Sequence, residues 1–490
     1  MARIAAEGRA LGLATTIFDP ATARKPDPEL RGIPRPNVRI DLPGTGPERV
    51  LLLAHYDVVP VPAEQRARWA TPPDRLTLRS DGRLYGRGAN DDLGSGVVAS
   101  LLALRRLAQG PPPARSVRLL VCCDEETGGV GGVEALKHHD ATLPAHDAER
   151  WLEGDVALIP DGSPHVCAAS SGVVFLDAVV DRPSPLAPIV ELGAAFESLH
   201  ATVRAWRSRY RSPDWPDHGA PEPVLTGRLT VTRFDATAVE PLPPDLTLAA
   251  LHAETDAANQ IAESVTLVFQ GKGIDRTALA DRLGPLVAPP FRLDDHPTTA
   301  LRVPAGSIAV AIVGKSAHGG YPHVGLNPVS ATFGVLRAAL AAGWISADVR
   351  YTATFALDLR LPPEMALAEG RDPVLAAGRA AIARLGIAAR LDAPPGRSRR
   401  GYALAPDHPV AVRLDRILAA TFGAAGVFGE YGGTDASTLA ELVTPAGEPL
   451  PAIVFGSMDR SANIHQAEES ADPRAIGGVA RAIERFVREP

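Results

Sequence analysis

The chain has 490 residues, with 57 Asp and Glu against 50 Lys and Arg, a formal net charge of −7. That balance argues against nucleic acid as a main partner, and the length exceeds one ordinary core, so two or three domains are expected. No apolar run is long enough for a bilayer, no charged stretch followed by an apolar core opens the chain, and three cysteines make no disulfide framework. A cytoplasmic protein without a membrane partner is the expectation.

Val50 to Ala54 is uninterruptedly apolar, as a strand buried on both faces of a parallel sheet should be. It runs into His55, and Asp57 two residues on would share that side chain's face. The pair suits a metal ligand and the carboxylate that fixes its imidazole tautomer. Asp91 follows in YGRGANDD, ahead of a predicted helix from Ser95 to Leu107. The next predicted strand, Val117 to Val121, leads into Cys122, Cys123, Asp124, Glu125 and Glu126. If extended, the adjacent glutamates point apart and could do different jobs, one on a metal and one on water. Cys123 reads as a buried strand-end thiol rather than a ligand. Asp161 in LIPDGS closes the first part, whose alternation of strands and helices implies a mainly parallel sheet flanked by helices.

The middle of the chain, from 165 to 400, is richer in proline and has a different rhythm. One strand–helix–strand pattern runs from Val265 through a helical Arg276 to Leu286, and another from Tyr351 through Leu375 to Leu385. Gly314, Gly319 and Gly320 surround His318, as expected where backbone passes close to another surface. Arg360 in FALDLRLP is a candidate clamp for a substrate carboxylate, since a guanidinium fork binds carboxylates bidentately. It could equally be a structural partner for Asp358. Beyond 400 the first style resumes, with a predicted helix Val410 to Thr421, a strand Ala452 to Phe455 and a last helix beyond Pro473. Gly432, Gly433 and Thr434 could offer backbone N–H groups to the same carboxylate, and His465 lies near the end. The fold class is therefore α/β: one domain of residues 1–164 and 401–490, with a mainly parallel mixed sheet flanked by helices, split by an inserted α+β domain over 165–400.

Each acidic or histidine motif follows an apolar run, so folding can bring them to one sheet edge. Two histidines and several carboxylates in one place make a divalent-metal constellation. Any one acid alone could instead cap a helix.

The motifs AHYDVVPV, Trp69-x-x-Pro72-Pro73, DGRLYGRGANDD, DEETGG, GKSAHGGYPHVGLNP, LDLRLP, GGTDAS and His465-x-x-x-Glu469 cover nearly the whole chain. In that order they resemble the co-catalytic metallopeptidases with a lid domain. These include carboxypeptidase G, peptidase V-type dipeptidases, aminoacylases, acetylornithine deacetylase and succinyl-diaminopimelate desuccinylase. The resemblance implies one metal on His55, Asp91 and Asp161, and another on Asp91, Glu126 and His465, with Asp91 bridging. It makes Glu125 the general base, Asp57 the residue orienting His55, and His318 the lid histidine that stabilises a tetrahedral oxyanion. It also implies a cis peptide bond between Asp91 and Asp92. Two such metals about 3.5–4 Å apart can share a water, lower its pKa and polarise a scissile carbonyl. One nitrogen and two carboxylates per ion suit zinc first, with cobalt or manganese tolerated.

Departures from the family leave the substrate open. Asp92-Leu93-Gly94 lacks the lysine common after the bridging aspartate, and GGTDAS lacks the tyrosine and arginine of peptidase V-type GGTYAR. The leading helix usual in the family is mostly absent before Met1. One reading is a hydrolase of dipeptides or short peptides with a free carboxylate. Another is a deacylase of N-acyl amino acids, and a third is a metal-binding protein without catalysis, against which the intact Glu125 argues. The long interval between Asp161 and GKSAHGG favours a duplicated lid of two ferredoxin-like halves and an active monomer. The alternatives are a loose insertion with proline-rich loops at 213–223, and a lid-mediated homodimer whose His318 serves the neighbouring site.

Overall fold

A computed structural model describes residues 1–20, 34–61, 63–91, 93–212, 224–239, 242–243, 246–255, 259–272, 275–297, 299, 301, 303–394, 396–423, 426–459 and 461–489. The proline-rich stretch 213–223 and the peptide bond between Asp91 and Asp92 lie outside them. The chain forms two compact units: Met1–Ser170 with Tyr402–Glu430 and Thr434–Pro490, and Ser171–Gly401 with Tyr431–Gly433.

The described residues of the first unit build a nine-stranded sheet. Its order is Ala14–Phe18, Asn37–Leu42, Ser116–Cys122, Arg49–His55, Val156–Ile159, Ala452–Val454, Val166–Ser170 and Tyr402–Ala403, with Val427–Glu430 also paired to Val166–Ser170. The four strands from Ser116–Cys122 to Ala452–Val454 are mutually parallel, whereas Ala14–Phe18 and Asn37–Leu42 on one side and Tyr402–Ala403 on the other pair antiparallel. Val50 to Ala54 are buried, as an apolar run at the sheet's centre requires. Arg118 interrupts the neighbouring run with its charge partnered: its Nε donates to Asp41 Oδ1 at 2.7 Å and its Nη1 to the Arg150 carbonyl at 2.7 Å. Helix Pro473–Arg488 packs on Ala99–Gln109 and Pro409–Phe422.

The helix expected over Ser95 to Leu107 has two parts. Leu93–Val98 is a π-helical turn, in which Ser95 N–H reaches the Asn90 carbonyl, and it runs into the α-helix Ala99–Gln109. The wider turn accompanies two bonds at the Ser95 hydroxyl, which donates to the Pro160 carbonyl at 2.7 Å and accepts the Ser457 N–H at 2.9 Å. Those contacts tie the start of this helix to the loop of Asp161.

The second unit carries a nine-stranded sheet over its described residues, all pairs antiparallel. Its order is Arg292–Asp294, Ile308–Val313, Ser264–Gln270, Thr247–Ala253, Arg228–Ala238, Arg350–Leu361, Gly172–Pro185 and Ala389–Asp392, with Ser398–Arg399 also on Gly172–Pro185. The two rhythmic segments fall on Ser264–Gln270 with helix Arg276–Leu283, and on Arg350–Leu361 with helix Leu367–Leu385. The first helix stops short of Leu286 because Gly284–Leu286 tightens to a 3₁₀ turn around Pro285, which has no N–H to donate. Phe234 and Phe355 stack with ring centres 4.7 Å apart, and Phe196 meets Phe355 edge-on at 5.5 Å. This aromatic cluster is the centre of the unit's core.

Candidate metal centre

His55 ends its strand almost wholly buried. Its Nδ1 lies 3.1 Å from the Asp57 carbonyl oxygen and 3.4 Å from Asp57 Oδ1. A proton on Nδ1 makes Nε2 the acceptor nitrogen, and Nε2 is 3.7 Å from Asp91 Oδ1 and 3.8 Å from Asp161 Oδ2. From the far end of the chain, His465 Nε2 comes within 2.6 Å of Asp91 Oδ2 and 3.1 Å of Glu126 Oε1. The result is two groups of three side chains, His55, Asp91 and Asp161, and Asp91, Glu126 and His465, each with ligand atoms within 4.8 Å of one another. Asp91 belongs to both.

This donor set fits a divalent cation. Burial opposes ionisation of Asp91, but His465 above all, with His55, holds its carboxyl well below the usual range. Burial likewise opposes a charged His465, yet Asp91 and Glu126 push its pKa well up. The carboxylates thus draw positive charge to this point, and a metal ion would take the place of that proton.

The two glutamates do not lie on an extended segment. Glu125–Thr127 is a 3₁₀ turn, about a third of a turn per residue, entered through Asp124 in the left-handed region at φ 63°. Gly128 and Gly129, at φ 105° and 74°, make the exit, which is why DEETGG ends in two glycines. Asp57 Oδ1 accepts the Glu125 N–H at 3.2 Å, and Oδ2 accepts the Glu126 N–H at 3.1 Å. Glu126 joins a ligand group, and Glu125 lies outside both. Cys123 is buried, with its thiol pushed up to about 12 mainly by burial, and belongs to neither group.

Glu469 Oε1 accepts the backbone N–H groups of Asn90 at 3.2 Å and Asp91 at 3.4 Å. Its other oxygen takes Arg87 Nη1 at 2.5 Å. The His465-x-x-x-Glu469 spacing points to this residue, but its task of holding the Asp91 loop emerges only on folding.

His318, Arg360, Gly432 and Gly433 belong to the second unit, while Thr434 belongs to the first. His318 lies on a short strand, Ala317–His318, and its Nδ1 accepts the Gly320 N–H at 3.1 Å. That bond leaves the ring proton on Nε2, a donor. The surrounding glycines do mark close approaches: a Cβ at Gly319 would lie 2.3 Å from Asp358 Oδ2, and one at Gly314 would lie 2.1 Å from the Leu326 carbonyl oxygen.

Of the two readings of Arg360, the ion pair with Asp358 is the one formed, through Nε at 2.7 Å and Nη2 at 2.8 Å. Nη1 donates to the Tyr431 carbonyl at 3.1 Å, so every nitrogen of this buried fork is engaged. A Cβ at Gly432 or Gly433 would meet nothing within 4 Å, so their backbone borders open space. The Thr434 hydroxyl accepts the Ala436 N–H at 3.2 Å at the start of a short helix.

Sequence reasoning missed Arg228. It stands opposite Arg360 in the strand register and is 4% exposed. Its guanidinium sits 3.5 Å from the Tyr431 ring centre. Nη1 donates to the Gly320 carbonyl at 2.8 Å and lies 3.1 Å from His323 Nδ1. Nη2 is buried without a partner, and among the described residues no carboxylate pairs with this cation. Burial lowers its pKa. A charge heading a Leu-Thr-Val-Thr strand opening was the available signal.

Among the described residues no helix is long and apolar enough to cross a membrane. Over 190 residues the chain is 32% identical to the cysteinylglycine-S-conjugate dipeptidase of Corynebacterium striatum, covering 39% of this chain and 38% of that protein. Over 97 residues it is 42% identical to the succinyl-diaminopimelate desuccinylase of Delftia acidovorans, covering 19% and 24%. The aligned stretches thus span well under half the length of these curated relatives. Human carnosine dipeptidase 1 shares the fold, with a TM-score of 0.57 and 14% identity over 100% of this chain and 90% of that one. Peptidase family M20/M25/M40 matches residues 51–489, a span that holds both ligand groups, and the chain belongs to that family.

Proposed function

We propose that the protein is a metal-dependent hydrolase of amide bonds in dipeptides or short peptides with a free carboxylate. The sharing of Asp91 between two ligand groups supports this most directly. In this reading two divalent ions are held, one by His55, Asp91 and Asp161, the other by Asp91, Glu126 and His465. Mixed imidazole and carboxylate donors favour zinc, with cobalt or manganese as substitutes. Bound ions would acidify a water and polarise the scissile carbonyl.

The side chains do the rest. Glu125, outside both groups, takes the proton of the attacking water and hands it to the leaving amine. Asp57 holds the His55 tautomer and the turn that carries both glutamates. His318 directs Nε2–H at the oxygen where negative charge develops. Arg228 takes the substrate carboxylate on its free Nη2, with N–H groups of Gly432, Gly433 and Thr434 as further donors. Arg360, engaged by Asp358, holds the Tyr431 backbone under that cation.

The stretch shared with a desuccinylase favours a second reading, removal of an acyl group from an N-acyl amino acid by the same chemistry. The second unit, residues 165–400 in the main, is read as the inserted lid. Its single broad sheet accommodates two fused halves and an active monomer. Three free buried cysteines accord with a reducing cytoplasm.

The test is metal analysis of purified protein, followed by a panel of dipeptides and N-acyl amino acids. Loss of turnover on chelation and its return with zinc, cobalt or manganese is expected, with dipeptides turned over fastest. Full activity in metal-free protein would sink the proposal, and preference for N-acyl amino acids would select the second reading.

A further inference from the structure

His465 occupies an unfavourable piece of backbone. It sits at φ 64°, between Asn463 at 51° and Glu468 at 66°, all three left-handed without being glycine. The segment has no regular structure until the two-residue strand Ser470–Ala471. Something must therefore hold the imidazole against Asp91 and Glu126.

Three arginines spaced four apart do so. Arg79 pairs with Glu468 through both terminal nitrogens, Nη2 to Oε1 at 3.0 Å, while Nη2 also meets Thr71 Oγ1 at 2.7 Å. Its guanidinium lies 3.7 Å from the Tyr85 ring centre. Glu468 Oε1 accepts the Ala70 N–H at 2.7 Å as well, so the Trp69-x-x-Pro72-Pro73 turn is drawn into the same knot. Arg83 grips Asp459 bidentately at 2.9 and 3.3 Å and bonds the Ser470 hydroxyl at 2.9 Å. Arg87 pairs with the fully buried Glu469 and donates from Nη2 to Gln65 Oε1 at 2.8 Å. Gln65 Nε2 in turn donates to the His465 carbonyl at 2.9 Å. The partners thus bracket His465 on both sides, at 459 and at 468–469, and one bond reaches His465 itself.

We infer that Arg79, Arg83 and Arg87 form a clasp of positioning residues around His465, and that two of them, Arg79 and Arg83, set the affinity of one ligand group and leave the other alone. His55 and Asp161 follow central strands and need no help from the 459–470 segment. Arg87 also bears on Asp91 through Glu469, so Arg79 and Arg83 are the selective members. Loosening either weakens the group of Asp91, Glu126 and His465, while the group of His55, Asp91 and Asp161 keeps its hold. A two-metal protein becomes, in effect, a one-metal protein. The inference rests on the two-metal reading.

Zinc titration of the metal-free full-length protein against a competing chelator tests it, with thermal melts of the same samples. Wild-type protein should take up two ions. Arg79→Met and Arg83→Met should bind the first as wild type does and the second about 10–100-fold more weakly. Arg79→Lys, which keeps the charge, should recover part of the loss. If Arg79→Met melts below the assay temperature, Glu468→Gln breaks the same pair from the other side. A second ion bound as tightly as in wild type, or two ions weakened equally, overturns the inference. Wild-type protein that holds fewer than two ions overturns the two-metal reading instead, before any variant is compared.

Discussion

Asp57 accepts the backbone N–H of Glu126, so the carboxylate beside His55 in one candidate group also holds the main chain of a residue from the other. Two strand ends, at His55 and Cys122, are thereby joined across the sheet through a single side chain. Burial works against the charge on Asp57, but His55 and the two N–H groups hold its carboxyl below its ordinary pKa.

Asp57→Asn should lower metal affinity about 10–100-fold, because the amide presents an NH2 where two N–H groups need an acceptor. Metal content after dialysis against a graded chelator series measures it. Wild-type affinity in this variant would reduce Asp57 to a bystander.

Glu125→Ala should keep its metal and lose roughly 10²–10⁴-fold in kcat, the scale of a missing general base. Glu126→Ala should lose metal first. Metal analysis paired with turnover separates the two, and equal metal loss in both variants would reverse or abolish the assignment.

Arg228→Met should raise KM for substrates with a free carboxylate and leave their amidated counterparts nearly unaffected. Losing a charge-assisted hydrogen bond of about 1.5–3 kcal/mol lowers kcat/KM about 10–200-fold. The buried cation costs the fold stability as it stands, so the variant should melt no lower than wild type. An equal loss on both substrate types would remove Arg228 from carboxylate recognition.

His318→Ala should reduce kcat about 10²–10³-fold with metal content unchanged. Light scattering over a dilution series, with activity followed in parallel, should show an active monomer. A dimer whose turnover disappears on dissociation would mean that His318 serves a neighbouring subunit.

His55, Glu126 and Asp161 were legible as candidate ligands from the apolar runs ahead of them, a pattern that depends on local chemistry alone, whereas Asp91 and His465 follow the polar stretches YGRGAN and DRSANI. Val50 to Ala54 before His55 is the clearest case. The Glu125–Glu126 turn was not legible, and its conformation stayed conditional, because the left-handed Asp124 gives no signal in composition. Arg228 and the Arg79, Arg83 and Arg87 pairs were invisible for another reason. Their partners lie hundreds of residues away or are aromatic faces, and a charged side chain in sequence looks solvated until tertiary contact buries it. The choice between roles for Arg360 needed only the strand geometry that sets it beside Asp358 two residues away.

Strand Ala452–Val454 enters the sheet between Val156–Ile159 and Val166–Ser170, although it lies near the other end of the chain. On the ribosome, the first 170 residues therefore emerge with a gap in their sheet and two strand flanks lacking a neighbour. At about 5–20 residues per second that state lasts on the order of tens of seconds before the missing strand appears. The nascent chain offers exposed apolar edges throughout that time, so its yield in the cell should depend on holding chaperones more than the stability of the finished protein would suggest.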